Sequence, residues 1–461
     1  MTAATTAGGF PPTPAQRRAA DPRRSVWVAA NAGTGKTRVL ADRVLRLLLA
    51  GAHPESILCI TFTRAGAAEM GERIERRLAA WAVERDEAKL HADLEHLTGE
   101  PPDDRTLRLA RRLFARVLDL SHGLRIMTIH ALCQTLLKRF PLEAEVAPHF
   151  ETIDDRTSEE LKAEARGIVL GERCRDDGAL GRAVDLLAVT LAESTLSGAI
   201  AEMLGQRHRL RAAFARHCER GTCEGLLGHI DGLLEVEAGV EPPHLIRRAC
   251  ADGVYDADGL LHHANTFRVG GKRQQEAAPL IATWLGRTAS DRHELFEGYR
   301  TAFFTKDGQP RGNLLTAAFR RDRPDVSRLY DHEQARLGAV LDQIRALTLS
   351  RRTAALLRLG HAVIDAYEGL KRRGALLDFD DLVEHTRVLL STPGRREWVL
   401  YKLDQRLDHV LVDEAQDTSP SQWGVVERLT EEFVAGAGAR GDTPRSLFIV
   451  GDEKQSIYSF Q

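Results

Sequence analysis

Four short runs of nearly unbroken apolar residues punctuate the chain: SVWVAA (25–30), ILCITFT (57–63), HVLVDE (409–414) and SLFIVGD (446–452). A strand with one wet face would alternate apolar and polar positions. Continuous hydrophobicity over four to eight residues instead predicts parallel strands covered on both faces. LRIMTIH (124–130) is a fifth candidate. Between the first two runs, TRVLADRVLRLLLAG spaces Val39, Leu40, Val44, Leu47 and Leu48 at helical intervals, with Gly51 as a stop. Strand, helix, strand predicts a βαβ unit and a parallel sheet.

From about 155 to 375 the texture changes to long Arg-, Ala-, Leu- and Glu-rich stretches with apolar positions three and four apart and hardly any strand signal. This predicts a large all-helical insertion in an α/β fold, with bounds of 1–150 for the first part of the α/β domain, 151–375 for the insertion and 376–461 for the second part. Inside the insertion, TFRVGGKRQQEAAP (266–279) predicts a loop that breaks the helical pattern. The chain shows no internal repeat and no extended low-complexity tract.

Length and charge narrow the picture only slightly. At 461 residues two or three domains are expected. Lys plus Arg (64) and Asp plus Glu (66) nearly cancel, so a nucleic-acid surface has to be a local stripe. Six scattered cysteines suit a reducing compartment, and a cytoplasmic location is expected. The start MTAATTAGGFPPTPAQ lacks a basic segment followed by an apolar core, and no run approaches the ~18 apolar residues of a membrane span, so no membrane partner is expected. Cys218 and Cys223, with His217 and His229 nearby, have no second cysteine pair beside them and Cys250 is remote; free thiols are the expectation there rather than a metal site.

The chemistry concentrates at strand ends. AANAGTGKT (29–37) follows the first run and precedes the helix, as a phosphate-binding loop must. Gly33 and Gly35 permit tight turns, the amides and helix N-terminus of Ala30, Asn31, Ala32, Gly33, Thr34, Gly35, Lys36, Thr37 and Arg38 can face phosphate oxygens, Lys36 can reach the β- and γ-phosphates, and Thr37 can ligate Mg²⁺. Ala30 stands where the usual pattern has glycine. VLVDEAQD (410–417) ends another strand with two adjacent carboxylates. Asp413 is placed to hold Mg²⁺ and Glu414 to polarise an attacking water, while Asp417 also fits a helix cap. ATP and Mg²⁺ are therefore the expected cofactors.

With these two anchors the chain resembles the superfamily 1 DNA helicases of the UvrD and RecB group. TPAQRRAA (13–20) is similar to the family's Q motif, whose glutamine, here Gln16, reads adenine. TFTRAGAAEM (61–70), MTIHALCQTLL (127–137) and VGDEKQSIYSF (450–460) resemble motif Ia, the next DNA-contacting motif and motif III. The resemblance implies a RecA-like P-loop NTPase domain interrupted by a helical DNA-binding insertion. It implies DNA contacts at Thr61, Phe62, Thr63, Thr128, His130, Tyr458 and Phe460, with core packing the competing reading for the aromatics and a structural role for His130. It also implies a γ-phosphate-sensing role for Gln455, catalytic with Lys36 and Glu414. DFDDLV (378–383) resembles a family element re-entering the first domain, where Asp380 and Asp381 are equally suited to capping a helix.

The spelling VWVAANAGTGKT and the long insertion look most like the AddA-type helicase-nucleases of double-strand-break repair, in which Ala30 is ordinary. Arg64-Ala65 replaces the Asn-Lys of many UvrD-like relatives. The resemblance implies ATP-driven 3′-to-5′ movement on single-stranded DNA from DNA ends and a partner of AddB type. It further implies a second RecA-like domain and a nuclease domain that do not occur within these 461 residues. A UvrD-like repair helicase without nuclease is the alternative enzyme. An ATP-binding, DNA-binding module without turnover of its own is the alternative of another class.

Overall fold

The computed structural model describes residues 13–29, 35–120, 123–217, 224–237, 239–312, 314–404, 407–434, 444–452 and 454. The chain divides into two compact units, 1–158 with 371–461, and 159–370.

In the first unit five strands form one sheet: β1 (Val26–Ala29), β2 (Ile57–Thr61), β3 (Arg125–Thr128), β6 (His409–Val412) and β7 (Ser446–Gly451), while β4 (Glu151–Thr152) and β5 (Leu376–Leu377) pair separately. The five-stranded order is β1-β7-β6-β2-β3, with every pairing parallel. The five apolar runs are these strands. Side chains alternate between two cores: Leu58, Ile60, Val410, Val412 and Ile449 point to one, and Ile57, Cys59, Leu411, Phe448 and Val450 to the other. Both faces are covered, and this is why the runs read as continuous hydrophobicity.

Helices α1 (Pro14–Ala19), α2 (Lys36–Leu49), α3 (Arg64–Val83), α4 (Glu87–Thr98), α5 (Asp104–Leu118) and α6 (Ile129–Arg139) follow in chain order. α2 buries Val39, Leu40, Val44, Leu47 and Leu48, the stripe visible in the sequence. It joins α3, α4 and α5 on one face of the sheet. α6 and the helices Phe379–Leu389 and Pro420–Val434 cover the other. Because the strands are parallel, their carboxyl ends share one edge, where open α/β sheets bind ligands.

The second unit, among its described residues, contains helices and one isolated bridge, Phe304 with Pro310. Its long helix Pro324–Arg373 contributes Val326, Tyr330 and Leu337 to one core and Leu359, Val363 and Tyr367 to another. The loop expected over 266–279 is a correction. Helices Ala257–Arg268 and Lys272–Leu285 leave only residues 269–271 between them. Gln274 takes the Gly271 N–H on its carbonyl (2.9 Å) and donates to the Leu314 carbonyl (3.2 Å). Pro279 sits inside the second helix, where buried Ala277, Ala278, Ile281 and Trp284 outweigh its intrinsic cost of about 3 kcal/mol. No helix of the described residues is long and apolar enough to cross a membrane.

Candidate nucleotide site at the carboxyl edge of the sheet

Ala30, Asn31, Ala32, Gly33 and Thr34 lie outside the described residues, as do Gln455, Tyr458, Phe460, Cys218 and Cys223. The loop's exit is described. Gly35 caps α2 at φ 84°, a left-handed conformation that favours glycine. Close by is Gln16, whose amide nitrogen lies 3.7 Å from where a Cβ on Gly35 would stand. A capping box fixes Gln16: its carbonyl accepts the Thr13 N–H (2.8 Å), and its own N–H donates to Thr13 Oγ1 (3.2 Å). The residue expected to read adenine thereby lies beside Gly35, the described end of the expected phosphate loop. Thr37 is the second residue of α2, and Arg38 pairs with Asp42 (3.7 Å).

Lys36 opens α2 with its side chain only 9% exposed. Its Nζ is buried with no hydrogen-bond partner among the described residues, and Glu414 Oε2 stands 3.5 Å away, inside ion-pair range but without hydrogen-bond geometry. Asp413 and Glu414 follow β6 directly. Asp413 is buried, and its backbone N–H donates to the Ile60 carbonyl on the neighbouring strand (2.8 Å). Burial, reinforced by the Glu414 charge, pushes the Asp413 carboxyl up to about 6. Glu414 holds φ at 51°, a strain of roughly 1–2 kcal/mol for a residue with a Cβ, which turns the chain off the strand into the short turn Ala415–Asp417.

A buried ammonium with no hydrogen-bond acceptor among the described residues, beside two adjacent carboxylates that share its single charge, fits a phosphate group with a divalent ion. Among the described residues no cluster of three or more His, Cys, Asp or Glu is arranged to hold a metal. Mg²⁺ is typically held by one or two carboxylates together with substrate phosphates, and Asp413 is the carboxylate expected to serve here.

Of the expected DNA-contacting residues, Thr61, Phe62, Thr63, Thr128 and His130 are described, and they lie at the carboxyl ends of β2 and β3. Thr61 Oγ1 donates to the Thr63 carbonyl (3.0 Å), Thr63 caps α3 by accepting the Gly66 N–H (3.0 Å), and Thr128 caps α6 by accepting the Ala131 N–H (3.2 Å). Thr61 and Thr128 are buried, Phe62 is half-buried and Thr63 is exposed. His130 packs its ring 5.1 Å from Phe379 and lies 3.5 Å from the Gln422 amide; burial lowers its pKa, leaving the imidazole neutral near pH 7. The N-cap of the helix Phe379–Leu389 is Asp378, not Asp380 or Asp381; Asp381 completes a reciprocal box by accepting the Asp378 N–H (3.0 Å). Sequence reasoning missed Lys371, whose buried ammonium bridges Asp378 (3.2 Å) and Asp381 (2.5 Å). It also missed Gln416, whose amide nitrogen donates to Glu414 Oε2 (2.6 Å). The only signal for Gln416 is its place inside DEAQD.

The UvrD/REP helicase N-terminal domain matches residues 13–209 and 316–461, which include β1, β2, β3, β6 and β7 and every site residue above. The chain belongs to the UvrD/REP helicase family. Its relatives include the AddA component of the ATP-dependent helicase/nuclease from Latilactobacillus sakei subsp. sakei (strain 23K), 26% identical across 97% of this chain and 49% of that protein. The corresponding helicase/nuclease component of Lactobacillus delbrueckii subsp. bulgaricus is 28% identical across 97% of this chain and 36% of that protein. That of Geobacillus thermodenitrificans (strain NG80-2) is 26% identical across 98% and 36%. This UvrD/REP-family chain thus spans half or less of the length of these relatives.

Proposed function

We infer that the chain carries the first motor domain of an ATP-dependent, AddA-type DNA helicase of double-strand-break repair. In this reading it moves 3′ to 5′ on single-stranded DNA, loads at DNA ends, and works with an AddB-type partner and a nuclease domain in the whole protein. The unit formed by 1–158 with 371–461 corresponds to the RecA-like domain and 159–370 to a helical DNA-binding insertion.

The observation that carries this reading is the buried Lys36 ammonium, without a hydrogen-bond acceptor among the described residues, facing Asp413 and Glu414 across the carboxyl edge of a parallel sheet. Residues 30–38 cradle the phosphates, Lys36 neutralises them and Gln16 lies against the adenine. Thr37 and Asp413 would hold Mg²⁺, which would supply charge neutralisation to the phosphates when bound. Glu414 orients the attacking water and accepts its proton, and Gln455 senses the γ-phosphate. Thr61, Thr63, Thr128 and His130 line the DNA backbone, and Phe62, Tyr458 and Phe460 stack bases without reading sequence.

Lys36→Ala tests the reading. Titration with a fluorescent ATP analogue and Mg²⁺ should show saturable binding by the wild type and at least tenfold weaker binding by the variant. Equal affinity in a folded variant would remove the phosphate site.

A further inference from the structure

Gln416 sits at the middle of the turn Ala415–Asp417, buried, between the two strand ends that flank the candidate nucleotide. Its amide nitrogen faces two carboxylates, Glu414 Oε2 (2.6 Å) and Asp417 Oδ2 (3.3 Å). Its amide oxygen accepts the backbone N–H of Asp452 (2.8 Å), the residue directly after β7. Donors meeting acceptors on both sides fix the orientation of the amide. Gly451 leaves the room for this approach: a Cβ there would stand 3.3 Å from both the Gln416 Oε1 and the Ala415 Cβ.

The Glu414 oxygen that Gln416 holds is the one nearest Lys36. Phosphate oxygens compete for the Lys36 ammonium, so an occupied site weakens the lysine's hold on Glu414 and leaves the carboxylate governed by Gln416. The position of that glutamine is in turn set by the backbone at the end of β7. Glu414 depends on such a tether because its own backbone is strained and its side chain is two-fifths exposed.

The geometry points to Gln416 as a positioning residue that ties the Glu414 carboxylate to the Asp452 backbone, so that nucleotide occupancy and the Asp452 amide report on each other. This rests on the nucleotide reading above and adds to it a physical link between the sites at β6 and β7. Gln416 contributes a donor toward Glu414 and Asp417 and an acceptor toward Asp452, and the two can be removed separately. Gln416→Met removes both. Gln416→Glu keeps an acceptor for Asp452 and removes the donor toward Glu414.

The test is amide hydrogen exchange at Asp452 in the 461-residue chain, with and without a non-hydrolysable ATP analogue and Mg²⁺, alongside the analogue's affinity. Without nucleotide, Gln416→Met should exchange at Asp452 at least tenfold faster than wild type, whereas Gln416→Glu should remain protected. On adding nucleotide, wild-type exchange at Asp452 should change at least threefold. Neither variant should respond, although both bind the analogue within about threefold of wild type. Single-turnover hydrolysis should fall ten- to a hundredfold in both variants at unchanged half-saturating ATP. If Gln416→Met fails to fold, Gln416→Glu carries the comparison. A wild-type-sized response in either variant, or no response in wild type despite bound nucleotide, overturns the link. Absence of nucleotide binding by the wild type instead overturns the site itself.

Discussion

Burying a lysine ammonium away from water costs several kcal/mol unless acceptors compensate it, and Lys36 has a carboxylate at ion-pair distance but no hydrogen-bond acceptor among the described residues. That residual cost is what a phosphate would relieve, so the site is poised by desolvation. Glu414 plays a different part, and Glu414→Gln separates the two. An amide in its place still hydrogen-bonds water but takes up no proton, so hydrolysis should drop by about 10²–10⁴ while nucleotide binding persists. Parallel binding and single-turnover assays check this; a loss of affinity equal to that of Lys36→Ala would contradict the division of labour. At this scale the sequence reveals the chemistry of charged residues better than that of hydroxyls. Lys36, Asp413 and Glu414 are legible because strand ends seldom carry such charges without a partner. Thr63 and Thr128 read as DNA contacts, yet their side-chain oxygens accept helix N-terminal amides, and a cap of this kind looks the same in sequence as a phosphate ligand. Gln416 is invisible because nothing in one sequence tells a bridging amide from a solvated one.

Elements show where periodicity succeeds and where it stops. The five sheet strands are legible because each run is long enough to show two covered faces. β4 and β5, two residues each, are too short to carry any period, and the loop expected over 266–279 shrinks to three residues because Gly270 and Gly271 do break the helix while burial overrides the break that Pro279 marks. Polar groups buried inside elements give two stability predictions. His409 opens β6, buried, with Nδ1 2.9 Å from Ser446 Oγ on β7. Burial lowers its pKa from 6.5 to about 4, with the Arg43 charge acting in the same direction and Asp408 opposing. Below pH 6.5 the unfolded chain takes up a proton that the folded chain resists. The stability is therefore complete above about pH 6.5 and is lost as pH falls toward 4, by on the order of 3 kcal/mol. Urea denaturation of wild type and His409→Gln at pH 7.5 and 5 should show a smaller acid loss in the variant. The second prediction concerns the Lys371–Asp378–Asp381 cluster. Asp381→Ala removes one of two carboxylates from a buried ammonium and half of the capping box, so it should cost toward the lower end of about 3–5 kcal/mol, read as a fall in unfolding free energy. A change below 1 kcal/mol would mean that water reaches Lys371.

For the molecule as a whole, charge balance constrains how it can hold DNA. The net charge is −2, so no long-range attraction of the entire chain for a polyanion is available, and affinity has to come from local contacts. Those proposed are mostly uncharged: the hydroxyls of Thr61, Thr63 and Thr128, a neutral His130, and the ring of Phe62. Salt dependence counts the phosphates neutralised by cations, with log K falling by about 0.7 per phosphate for single strands. Hydroxyl and stacking contacts release no counterions. Single-stranded DNA binding by this chain should therefore weaken with salt along a shallow slope, about −1 to −3, rather than the much steeper slope of a basic DNA-binding protein. Phe62→Ala should lower affinity by about 1–3 kcal/mol equally at low and high salt, since stacking survives screening. Fluorescence anisotropy with a labelled oligonucleotide at several salt concentrations measures both quantities. A slope much steeper than −3 would show that cations, and not these hydroxyls, hold the DNA backbone along the sheet edge. A Phe62→Ala effect that vanished at high salt would show that the ring acts by positioning a cation and not by holding a base.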